Sequence, residues 1–129
     1  MLSRLQVFHA ITEQVRRAVP DERITRVRGL VLLMLGMIWS GQVGLPGIAA
    51  ALPLPARPVS TERRLRRWVA NAHIDVDRLW RPQRRRLLQR YGGQEITLVF
   101  DPTPFRHTAT LLCLGIVDGR RVLPLDVQV

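Results

Sequence analysis

The sequence predicts an α+β chain, with a helical, arginine-rich region over residues 1–92 followed by three antiparallel strands in residues 93–129. Up to the pair Gly92–Gly93 apolar residues recur at helical spacing, and beyond it the period changes to that of strands. An Asp118–Gly119 step then separates two apolar runs. Asp-Gly supplies the positive φ angles of a tight two-residue hairpin connection, so those two strands are antiparallel neighbours.

The elements follow in order. Leu5, Phe8, Ile11 and Val15 mark an amphipathic helix over residues 4–18, ended by Pro20. A second helix over residues 24–39 has a basic start, Arg26 and Arg28, and a body apolar all round, which predicts burial on every side or against a partner chain. LPGIAAAL (residues 45–52) reads as a short helix, and Pro53, Pro55 and Pro58 predict an extended connector behind it. Ser60 is the expected N-cap of the next helix, running to Ala72, with Glu62 in its first turn. Leu65, Trp68, Val69 and Ala72 fall on one face of that helix. Arg63, Arg66 and Arg67 fall on the other, with Arg64 at its flank. Asn71 closes the helix and Asp75 caps the next, which repeats Val76, Leu79, Trp80, Leu87, Leu88 and Tyr91, carries a kink or restart at Pro82, and stops at the glycine pair. Strands are expected at residues 95–100, 109–117 and 120–129.

Composition narrows the class. A chain of 129 residues, 47% apolar and 23% charged, is one ordinary domain or two very small ones, neither disordered nor fibrous. A lone cysteine, Cys113, excludes an internal disulfide framework and a multi-cysteine zinc site, and fits a reducing, cytoplasmic setting. Arg4, His9, Glu13, Arg16 and Arg17 interrupt the start, so it reads as an authentic N-terminus without a signal core. Gly29 to Ala56 carries no charge, yet its unbroken apolar run, Leu30 to Trp39, is about half of the roughly 20 residues a spanning helix needs. A buried helix and a turn, with no membrane partner, is the expectation.

All 20 basic residues are arginine, and the net charge is +10. The excess is concentrated: residues 57–90 hold eleven arginines against three acids. Coding bias explains the absence of lysine but not this clustering, which points to an anionic partner, nucleic acid first. The expected DNA contacts are Arg63, Arg64, Arg66 and Arg67 on the helix from Ser60, with Ser60 and Thr61 offering hydroxyls at its start and the 45–52 helix as a helix-turn-helix partner. Arg84, Arg85 and Arg86 form a second cluster, either a backbone track or a solvated face. Trp39, Trp68 and Trp80 are expected in the core, and Cys113 as a buried thiol. His9, His73 and His107 lack ligand spacing. Asp101, followed by Pro102, Thr103 and Pro104, is either an oriented metal ligand at a strand end or a turn-capping aspartate.

The whole arrangement, RRLRRWVAN, a helix ending in YGG, the strand LVFDPTPF and the hairpin ATLLCLGIVDGRRVLPLDV, resembles bacterial insertion-sequence transposases of the DDE type. The resemblance covers roughly residues 24–129, and the DPT step and the arginine-rich helix are its most specific parts. It implies a DNA-binding helical region before the first three strands of an incomplete ribonuclease H-like catalytic fold. It also implies transposon-end duplex DNA as partner, Asp101 as the first catalytic and metal-binding acid, and Mg²⁺ or Mn²⁺ as the cofactor of the complete enzyme. The second and third acids have no match, so the chain reads as the N-terminal portion or a truncated copy of a transposase, able to bind but not to cut alone. The competing reading is a small non-catalytic helix-turn-helix regulator, or an interaction module whose sheet makes a homodimer.

Overall fold

The structure, a computed structural model, describes residues 1–105 and 108–128; His107 and Val129 lie outside them. Five helices precede three strands: α1 (Arg4–Ala18), α2 (Ile24–Ser40), α3 (Leu45–Ala51), α4 (Pro58–Val69), α5 (Val76–Arg90), β1 (Leu98–Phe105), β2 (Ala109–Asp118) and β3 (Arg121–Gln128). The chain forms two compact units, Met1–Leu79 and Trp80–Val129. The boundary falls inside α5, earlier than the glycine pair where the sequence pattern changes, so most of α5 belongs with the sheet.

In the helical unit, α1 is opened by a capping box: the Ser3 hydroxyl accepts from the Gln6 amide at 3.2 Å, and the Gln6 side-chain oxygen accepts from the Ser3 amide at 2.8 Å. Its inner face is Phe8, Thr12 and Val15. α2 buries Val27, Val31, Leu32 and Leu35, but Met34, Met37 and Ile38 remain exposed, so the helix is buried on one side and not all round. Gly41, at φ +66°, closes α2 in the left-handed conformation that only glycine adopts without cost. The chain then turns by 88° into α3. Two glycines on α2 set the packing distances. A Cβ at Gly36 would overlap Ile48 of α3, and one at Gly29 would overlap the Trp68 indole of α4. The core is Phe8, Val15, Val27, Val31, Leu32, Leu35, Ile48, Leu65 and Leu79, with Trp39 and Trp68 half-buried at its edge. No single helix among the described residues is long and apolar enough to cross a membrane.

α4 begins two residues before the expected serine cap. Arg57 is extended (φ −59°, ψ 144°), as a residue preceding proline must be, and Pro58 takes the first helical position, where its missing amide costs nothing. Pro58 therefore starts the helix instead of extending the connector, Ser60 lies within the first turn, and no acid does. The inward positions are Thr61 and Leu65, whereas Val69, at the last turn, is 61% exposed. Asn71 follows the helix and accepts from the His73 amide at 3.0 Å, and Asp75 caps α5 by accepting from the Arg78 amide at 3.0 Å. Pro82 lies within one continuous α5.

In the second unit the strand order is β1-β2-β3, both pairs antiparallel. β1 starts later than expected and runs on through Asp101, Pro102, Thr103 and Pro104. Two prolines fit there because β1 is an edge strand, where the side without a partner needs no amide. Asp101 is thus mid-strand, opposite Cys113, and not at a strand end. Cys113 is half-exposed rather than buried. The β2–β3 turn is one residue later than expected: Asp118 pairs with Arg121, leaving Gly119 (φ +60°) and Arg120 as the two-residue loop. Leu125 is an extra residue on β3 at a register shift opposite Leu114 and Gly115, and its carbonyl accepts from the indole N–H of the half-buried Trp80 at 2.8 Å. Tyr91 follows α5, and its hydroxyl bonds the Asp118 carboxylate; burial and that carboxylate push the phenol above its ordinary value.

Candidate nucleic-acid interface

The basic residues divide by what faces them. On α1, Arg16 and Arg17 both bond Glu13, at 2.8 and 3.0 Å, and the Arg16 bond does most to hold that exposed carboxyl down to about 2. Their charge is locally matched. On α4, Arg66 donates to Glu62 at 2.6 Å. Arg63, Arg64 and Arg67 are exposed and, among the described residues, meet no acid.

Helical geometry separates these groups. With Leu65 pointing inward, steps of about 100° put Arg66 and Glu62 on one flank and Arg64 with Trp68 on the other, while Arg63 and Arg67 stand outermost. Ser60 lies on the Arg64–Arg67 side and is exposed. Thr61, by contrast, is 2% exposed beside the core, so its side chain is not presented to a ligand. The expected pair of hydroxyl contacts is reduced to Ser60, because Thr61 stands one helical turn before the inward Leu65 and shares its face.

α4 is held as the third member of a cluster in which α3 packs on both α2 and α4. Two links fix its position on α2. Leu65 is fully buried, and the Trp68 indole N–H donates to the Arg26 carbonyl at 2.9 Å, over the Gly29 backbone. The α3–α4 connector, Leu52 to Arg57, is longer than a minimal helix-turn-helix turn and carries Pro53 and Pro55.

Beside these links lies an open recess of about 270 Å³. Thr25, Arg26 and Gly29 of α2 line one side of it. Arg64, Arg67 and Trp68 of α4, with Asn71 just beyond, line the other. Arg26 is anchored there by the buried Glu22, whose carboxylate accepts from the Arg26 guanidinium at 3.0 Å and from the Arg23 amide at 3.1 Å. Burial pushes the Glu22 carboxyl up, but the two bonds and the nearby Arg26 and Arg78 charges outweigh it and hold the group below its ordinary value. Thr25, Arg26 and Asn71 were not legible as site residues. The one sequence signal was Gly29, a glycine inside an apolar helix, which marks a close approach.

The α5 cluster differs. Arg84 bonds Asp126 of β3 at 3.5 Å and is 27% exposed, so it serves the sheet unit and is not a free backbone contact. Arg85 and Arg86 are exposed.

Asp101 is exposed on the open-edged β1 and accepts from the Thr103 hydroxyl at 3.3 Å. Among the described residues no three His, Cys, Asp or Glu side chains come together as a metal site.

No protein-family model, curated protein or solved structure matches the chain.

Proposed function

We propose that the chain binds duplex DNA through α4, as the DNA-binding part of an insertion-sequence transposase of the DDE type acting on transposon ends in the cytoplasm. The observation that carries the DNA reading is that Arg63, Arg64 and Arg67, on the outer side and one flank of a helix locked at Leu65 and Trp68, meet no acid among the described residues. Arginine forks suit phosphate oxygens and the O6/N7 edge of guanine, and neither role is pre-empted here by an internal acid. Ser60 adds a hydroxyl near the N-terminal end, where a helix entering the major groove meets base edges.

The transposase part of the reading rests on the motif resemblance. Within it Asp101 is the first acid, and a metal would require carboxylates that the described residues do not bring beside it.

Mixing the purified chain with a labelled duplex carrying the element ends, in Mg²⁺ or Mn²⁺, tests both parts. Retarded migration without nicking is the expected result. Cleavage by the chain alone that disappears in Asp101→Ala would overturn the non-cutting part, and no retardation on any duplex would overturn the DNA reading.

A further inference from the structure

Two of the arginines that carry the DNA reading, Arg64 and Arg67, also line the recess between α2 and α4. Between its polar side chains it is lined by Gly29, Leu65 and the Trp68 indole, whose N–H is already given to the Arg26 carbonyl. Its rim is cationic. Arg64 and Arg67 meet no acid among the described residues, and Thr25 is exposed at the second residue of α2. Glu22, the acid nearest to Arg26, is buried and already bonded to it. An opening of about 270 Å³ is roomier than inorganic phosphate needs, and accommodates a phosphodiester with part of its sugar.

We propose that this recess takes one phosphodiester of duplex DNA, gripped by the Arg64 and Arg67 guanidiniums with the Thr25 hydroxyl opposite, and thereby sets the register of α4 on the duplex. The inference rests on the DNA reading above and divides the labour within it. Arg64 and Arg67 position through the backbone, which carries no sequence information, and Arg63 with Ser60 is left for base edges. Arginine suits this grip because its planar fork matches two phosphate oxygens at once.

The test uses the whole chain and fluorescence anisotropy on labelled duplexes over a salt series. Arg64→Gln and Arg67→Gln should each lower the salt slope by about one, equally on every duplex sequence. Arg63→Gln should instead flatten the preference among sequences. Thr25→Glu places a carboxylate at the mouth of the recess. It sits in the first turn of α2, where the helix dipole favours an acid, so the thermal midpoint should not fall while DNA affinity drops about tenfold or more. Wild-type affinity and slope in Thr25→Glu and Arg64→Gln, with weakened Arg63→Gln, would overturn the recess and leave the DNA reading standing. A wild-type chain that binds no duplex overturns both. One that prefers phosphatidylglycerol vesicles over duplex assigns the cationic rim to lipid headgroups and likewise overturns the proposal.

Discussion

Two arginine clusters lie on consecutive helices, ERRLRR on α4 and RPQRRR on α5, and nothing in their composition separates them. Their surroundings do. On α5, Arg84 is turned to the sheet and bonded to Asp126, on a helix whose Trp80 indole also bonds the β3 backbone. On α4, Arg66 is bonded to Glu62, and among the described residues Arg63, Arg64 and Arg67 meet no acid. A charge already matched inside the protein contributes to the fold, and one left unmatched in a fixed position is available to a ligand. Residue counts cannot make that distinction, because the partner of Arg84 lies on another element far along the chain.

This contrast can be broken or sharpened by substitution. The largest effect is expected from Leu65→Ala, which removes a fully buried side chain from beneath α4 and should cost about 3 kcal/mol in urea unfolding. Ile116→Ala, equally buried in the sheet, should cost as much stability but leave DNA affinity per folded molecule unchanged. Loss of binding in both variants alike would mean that α4 is not the contact surface.

Glu22→Gln comes next, at about 2 kcal/mol, since it removes charge-assisted bonds from a buried carboxylate and leaves Arg26 unmatched. The folded protein holds this carboxyl below its ordinary 4.5, so its stabilisation is present above the unfolded value and is lost as pH falls through the folded one. Acid titration of stability should therefore fall less steeply below about pH 4.5 in Glu22→Gln than in the wild type. An unchanged acid limb would show that the pair does not contribute.

Trp68→Phe should cost about 1 kcal/mol through the lost bond to the Arg26 carbonyl, and loosen α4 on α2. Hydrogen exchange at α4 amides should rise while the sheet amides stay protected. Arg84→Gln is the smallest, at most about 1 kcal/mol for a partly exposed ion pair, with no change in DNA salt dependence.

Much of the architecture was legible from local pattern, because helix periodicity, the Gly92–Gly93 stop and the Asp75 cap are short-range effects. The misplacements also have local causes. At the start of α4 a serine cap competed with a proline at the first helical position, and the proline won, which placed Ser60 within the first turn. In β1, Pro102 and Pro104 suggested a strand end, but an edge strand tolerates both. The candidate site was half legible. Its α4 arginines follow from the wheel, whereas Thr25 and Arg26 join them only because Gly29 lets the Trp68 indole lie against α2. Such tertiary proximity leaves no periodic trace.

The most direct measurement compares the salt dependence of duplex binding by the wild type, Arg64→Gln/Arg67→Gln and Arg85→Gln/Arg86→Gln. If α4 is the interface, the first pair lowers the slope by about two and the affinity about tenfold, and the second changes either by far less. Equal losses from the two pairs, or a larger loss from the α5 pair, would contradict it.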